Sequence, residues 1–166
     1  MTARRLTGKR LVGRVCPMST LLRRLCAPAL LVLALVRAGA AHAEQLTIVS
    51  AAGTRHAFQV EIADEDAERM KGLMFREQLA SDAGMLFLYP RPVGIVMWMK
   101  NTPLPLDMLF VDQKGIITSI AADTVPYSTD RIPADRLVIG VLEVNAGTAA
   151  RLHIVPGDRI DYPAFR

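Results

Sequence analysis

Residues 97–112 read MWMKNTPLPLDMLFVD, and they gather several of the side chains here that could meet a ligand. In an extended segment alternate side chains share a side, so Trp98 and Lys100 project together while Met97 and Met99 point away. A tryptophan plane beside an ammonium suits an anionic or sugar ligand, the ring by stacking and the cation by charge. Pro103 and Pro105 each remove a backbone donor and fix φ, so the chain must leave any regular ladder at this point. Asn101 and Thr102 are residue types that satisfy the backbone groups such a break sets free. Two plainer readings compete. Lys100 could end a strand with its head in water and Trp98 in the core, or it could pair with Asp107 or Glu143.

Two further residues, Arg76 and Glu143, complete the candidate site. Arg69 and Arg76 flank a Gly-Leu-Met turn, and Arg76 suits a carboxylate, either a ligand's or one of the chain's own pinning helix to sheet. Glu143 falls in the apolar run RLVIGVLEVN, on the parity of Leu137, Ile139 and Val141. A carboxylate on such a face needs a partner, for which Arg76 and Lys100 are candidates, or else acts as an acid or base with a raised pKa. Arg76, Trp98, Lys100, Asn101, Thr102, Asp107 and Glu143 are therefore the expected ligand-binding set, with no catalytic role assigned. The partner expected is a small anionic ligand or an envelope protein. An alternative is a carboxylate-based hydrolase of envelope glycans or peptides, working through Asp107 and Glu143. A third is a soft-metal protein using the Met97 and Met99 thioethers for Cu(I), although methionine is also the usual filler of irregular cores. His56 and His153 lie far apart without zinc-site spacing, and no phosphate loop, dinucleotide fingerprint or nucleophile elbow occurs. Neither a metal nor a cofactor is expected.

The address of the protein is written in its first quarter. A leader with Arg4, Arg5, Lys9, Arg10, Arg14, Arg23 and Arg24 precedes the ten-residue apolar run 27–36 and then Ala41-His42-Ala43. That order is a secretory signal with cleavage after Ala43, and Met18 is an alternative start. The apolar run is half the length a membrane span needs, so no stable insertion is expected after cleavage. Its paired arginines resemble a twin-arginine export signal only in part. The mature chain would be periplasmic or secreted. Both cysteines, Cys16 and Cys26, fall in this leader, so the remainder has no thiol or disulfide. Eight of the twenty Lys and Arg also fall there, but none of the sixteen Asp and Glu. The body after Ala43 carries twelve cations against sixteen acids, a net of −4 where the whole chain has +4. An acidic body without a basic run argues against nucleic acid.

The elements that must position the site are mostly strands. LTIVSA and HAFQVEIA form a hairpin about Gly53-Thr54, and a short helix follows with Asp64 as N-cap and Met70, Leu73 and Met74 as its stripe. GMLFLY, a Pro90-Arg91-Pro92 turn, VGIVMWMK, PLDMLFVD and GIITSIAA then read as strands apolar on both faces, the last two joined by a hairpin. The connection 123–136, which carries Pro126 and Pro133, is long enough to help close a cleft. RLVIGVLEVN, a helical turn at 148–152 and the strand DRIDY complete the chain. The expected class is mainly β (α+β), with residues 1–43 a signal peptide and 44–166 one domain. That domain should be a small barrel or two-layer sheet of about eight strands with one or two short helices.

RMKGLMFREQL, AGMLFLYP, MWMKNTPLPLDMLFVD, GIITSIAAD, VLEVNAG and PGDRI occur here in the order seen in one bacterial and archaeal family. The chain resembles the domain of unknown function 192 over about residues 46–162. The resemblance implies a compact β-rich domain and brings no activity, cofactor or substrate with it. Departures are confined to the leader and the 123–136 connection.

Overall fold

The computed structural model describes residues 43–165, all within the unit Ala38–Arg166. The basic leader and its apolar run lie outside the described residues. Among the described residues no helix is long and apolar enough to cross a membrane.

Among the described residues nine strands and two short α-helices are present. β1 (Glu44–Val49) and β2 (Arg55–Ala63) form the expected antiparallel hairpin. α1 (Asp66–Lys71) crosses over to β3 (Ala83–Val93), which pairs parallel to β2. β4 (Val96–Met97), β5 (Leu106–Val111), β6 (Ile117–Ala121), β7 (Ile132–Pro133) and β8 (Val138–Asn145) follow, then α2 (Thr148–Leu152) and β9 (Arg159–Asp161). Seven strands make one sheet in the order β6-β5-β8-β3-β2-β1-β9, while β4 and β7 form a separate pair. The large sheet curls until its two edges meet. Ile116 bridges Arg159, and the Ile160 N–H donates to the Gly115 carbonyl at 2.7 Å. The result is a half-barrel.

Strand alternation sorts the apolar residues into two layers. Leu86, Leu109, Leu142 and Val144 face the inside with Leu46, Ile48, Phe58 and Ile160. Their neighbours Met85, Phe87, Met108, Phe110 and Val141 face outward, where Leu73, Ile95, Met97, Met99 and Leu106 cover them. Both faces of the central strands are thus buried, which explains why those runs are apolar throughout. Met97 and Met99 belong to this second layer, and the Met99 sulfur accepts the Thr124 hydroxyl at 3.1 Å.

Several local expectations need correction. The N-cap is Glu65, one residue later than Asp64, because the Glu68 side chain turns back to accept both the Asp64 and Glu65 amides at 3.3 Å. Met70 is exposed, so only Leu73 anchors that stripe in the core. Pro90-Arg91-Pro92 is not a turn. β3 runs through it, and its pairing with β8 shifts register between Leu88 and Val93, where prolines need give up no ladder bond. VGIVMWMK is consequently split, with Val93 ending β3 opposite Val138 and only Val96–Met97 forming β4. Its alternation survives: Ile95, Met97 and Met99 are buried, while Val96, Trp98 and Lys100 are exposed. Ile139, grouped by parity with Glu143, packs into the inner layer instead, since the irregular pairing at the start of β8 breaks the alternation.

Candidate functional site

A cleft of about 100 Å³ opens on the outer layer. The end of α1 and the turn after it form one wall, and residues 96–102 form the other. Phe87 and Tyr89 of β3 and Glu143 of β8 make its floor. Two glycines bring these pieces close. Gly72 has φ of +47°, and a Cβ there would stand 3.0 Å from the Phe87 ring. A Cβ on Gly84 would stand 2.6 Å from the Glu143 carbonyl oxygen, so only glycine lets β3 lie against β8 at this register.

Glu143 is the unusual residue. It sits opposite Met85 on one side and Met108 on the other, in a row otherwise filled by core side chains. It is 4% exposed, its carboxyl opens only onto the cleft, and it has neither a hydrogen-bond nor an ion-pair partner among the described residues. Desolvation pushes its carboxyl up to about 8, so at neutral pH the group is mostly protonated. Burial also raises the Tyr89 phenol, with Arg69 pulling against it and Glu143 adding to it.

Trp98, Lys100 and Thr102 line the same cleft as Glu143. The Lys100 ammonium rests 5.2 Å from the Trp98 ring centroid and forms no ion pair with Asp107 or Glu143. Thr102 is buried, and its hydroxyl donates to the Lys100 carbonyl at 3.3 Å. Arg69 reaches the cleft with its guanidinium fixed four ways: on Asp66 at 2.5 Å, on the Asp64 carbonyl, on the Leu88 carbonyl at 2.7 Å, and over the Tyr89 ring at 5.1 Å. Lys71 lines the cleft too, and has no acidic partner among the described residues.

The structure separates the other three residues from this group. Arg76 makes a two-pronged salt bridge with Glu61 of β2 on a neighbouring depression, and that bond raises its pKa. It pins the turn after α1 to the sheet. Asn101 supports the wall from behind. It takes a left-handed φ of 56°, accepts the Phe75 amide at 2.8 Å and points its side-chain amide at the Met74 sulfur. Asp107 is fully buried away from the cleft. Its carboxyl accepts backbone N–H groups from Asp123 at 3.0 Å, Gly147 at 3.2 Å and Ala149 at 2.8 Å. Those bonds hold a loop and the start of α2, and they occupy three of the carboxylate's roughly four lone-pair sites. The 123–136 connection also lies elsewhere. It is fastened behind the wall by β7, by Thr124 on Leu106 and by the Met99 amide on the Ser128 carbonyl. None of its residues lines the cleft.

Fold and site together define a small β half-barrel domain with one buried carboxyl at the floor of a cation-rimmed cleft. The chain belongs to the family of domain of unknown function 192, described as "Uncharacterized ACR", whose model matches residues 47–162. No curated protein matches it. Among solved structures it is similar to a Sinorhizobium meliloti 1021 protein described as a candidate transcription regulator. That match has 44% identity and a TM-score of 0.72, over 73% of this chain and 94% of that one. It is also similar to a Novosphingobium aromaticivorans DSM 12444 protein of unknown function. There the identity is 42% and the TM-score 0.70, over 72% of this chain and 85% of that one.

Proposed function

We propose that this protein is an exported module of the bacterial envelope whose cleft binds a small, carboxylate-bearing anionic ligand. One observation carries the reading: a buried, unpartnered Glu143 carboxyl, whose burial favours the protonated form, lies in a cleft whose walls carry the cations Lys71 and Lys100. A protonated carboxyl donates a hydrogen bond to a ligand oxygen, and the ammonium groups offset the ligand's charge. The volume of about 100 Å³ falls below the range of roughly 300–1,000 Å³ typical for drug-sized ligands. The cleft therefore takes the charged end of a ligand and leaves the rest against the half-exposed Trp98.

A hydrolase is the second reading, and the raised Glu143 carboxyl favours it. Among the described residues, however, Glu143 is the only carboxyl lining the cleft, so a two-carboxylate mechanism has no second member there. Regulation of transcription, the description of the Sinorhizobium protein, finds little support in a body with a net charge of −4 after residue 43. Export rests on the leader. N-terminal sequencing of the periplasmic protein should begin at Glu44, and an intact cytoplasmic chain would contradict that part of the proposal.

Titration of the protein with glutarate and with inorganic phosphate, followed by amide chemical shifts, tests the binding reading. Glutarate should move the signals of Trp98, Lys100 and Glu143. Lys100→Met should weaken it about tenfold or more, the usual effect of losing a charge-assisted bond. Because Lys100 is exposed and unpaired, that variant should keep a wild-type melting temperature to within about 2 °C, as surface changes do. Unchanged affinity in the variant, or no anion binding by the wild type, would defeat the proposal.

A further inference from the structure

The wall of the cleft is an open strand edge. In an antiparallel pair, successive residues direct their backbone groups to opposite sides. Ile95 accepts the Ala134 amide at 2.9 Å, Met97 pairs with Ile132, and the Met99 amide donates to Ser128 at 3.0 Å. The odd-numbered residues are thus committed to β7 and the segment before it. The backbone groups of Val96 and Trp98 face the other way, and those of Trp98 have no partner among the described residues. β4 is therefore half of a ladder with its second side vacant.

Chemistry along that edge is suited to another chain. Val96 and Trp98 are 44% and 49% exposed, Met70 across the cleft is 77% exposed, and Phe75, on the turn beyond the cleft lining, is 73% exposed. Phe75 is held outward by a left-handed backbone at φ of 64°, with its amide bonded to Asn101. Large apolar side chains held in solvent on both sides of a groove mark an interaction surface. Strained non-glycine residues persist where the surrounding structure enforces them, often at such surfaces. Lys71 and Lys100 add positive charge to the same rim.

We propose that the ligand of this cleft is an extended peptide that adds a strand to the Val96–Trp98 edge. Its backbone takes up the vacant Trp98 groups, its apolar side chains lie between Trp98 and Met70, and its carboxylate enters the cleft toward Glu143 and Lys100. Strand addition of this kind draws affinity from main-chain bonds and specificity from pockets at alternate side chains. Acidic character is selected by the rim cations. The inference rests on the reading of the cleft as an anion site and names the class of ligand for it.

The probe is a hexapeptide of alternating Val and Thr ending in Glu with a free C-terminus, beside the same peptide N-methylated at the two amides that would face the edge. Binding to the purified chain is read by amide shifts and by hydrogen exchange. The unmodified peptide should slow exchange at the Trp98 amide, and N-methylation should weaken binding about tenfold through the loss of two main-chain bonds. Equal binding of the two peptides, or no protection at Trp98 while glutarate still shifts Lys100 and Glu143, overturns strand addition and leaves the anion site standing. Failure of both glutarate and peptide removes the anion site, and this inference with it.

Discussion

Asp107→Ala should unfold this domain more than any change in the cleft. The carboxyl lies with no exposure between β5 and the start of α2, accepting three backbone amides from two separate segments. Truncation strands all three donors in an apolar setting and leaves a cavity. Bonds to a charged group contribute about 1.5–3 kcal/mol each, and breaking a buried network typically costs about 3–5 kcal/mol. A domain of this size has about 5–15 kcal/mol in all, so the melting temperature should fall by roughly 15 °C or more. Asp107→Asn keeps one acceptor oxygen and should fall between the two. A loss below about 1 kcal/mol for Asp107→Ala would mean that water replaces the carboxyl at those amides. Asp158 does the same kind of work at the start of β9. It is 2% exposed and accepts the Ala51 and Val155 amides at 3.0 Å each.

Glu143→Gln should act in the opposite direction, and only above acid pH. The carboxyl titrates near 8 in the folded protein against 4.5 for the unperturbed group. Between those values the folded state holds a proton that the unfolded chain has released, so stability falls as pH rises. The contribution is whole below about 4.5 and is lost as pH passes through 8. Each unit of difference is worth 1.36 kcal/mol, which puts the full loss at about 3–5 kcal/mol. Glutamine resembles the protonated acid in shape and cannot ionise. Urea unfolding should therefore find the variant and wild type alike near pH 5, with the variant several kcal/mol more stable by pH 9. Parallel profiles across that range would show that the carboxyl is paired or hydrated after all.

These two acids show where sequence reasoning succeeded and where it stopped. Both stood out as polar residues in apolar strands, Asp107 in PLDMLFVD and Glu143 in VLEVN. Their roles diverged for a reason no local pattern carries. Asp107 meets amides 16, 40 and 42 residues away, whereas the row of Glu143 offers it only methionines. Alternation in MWMKNT correctly separated Met97 and Met99 from Trp98 and Lys100, because a half-buried segment keeps its period even where only two residues are paired. The hairpins about Gly53-Thr54 and residues 112–115 were legible from turn chemistry. Tyr89, Lys71 and Gly72 were not recognised as cleft residues. Met85, Phe87 and Tyr89 alternate visibly, but only the β3–β8 register brings that row beside Glu143. The salt-bridge reading of Arg76 holds, but its partner Glu61 is not legible in the sequence, because it sits on a strand whose parallel pairing to β3 depends on the α1 crossover.

The proton on Glu143 is the hinge of the account, since a neutral carboxyl welcomes an anion and a charged one repels it. Isotope-edited NMR of the Glu143 side-chain carboxyl between pH 5 and 9.5, with and without saturating glutarate, reads it directly. A midpoint near 8 in the free protein is predicted, moving higher with glutarate because a bound anion disfavours a second negative charge. Affinity for glutarate should correspondingly weaken as pH rises through that midpoint. A midpoint in the ordinary carboxylate range, or one that glutarate leaves unmoved, would contradict the cleft as an anion site built on a protonated acid.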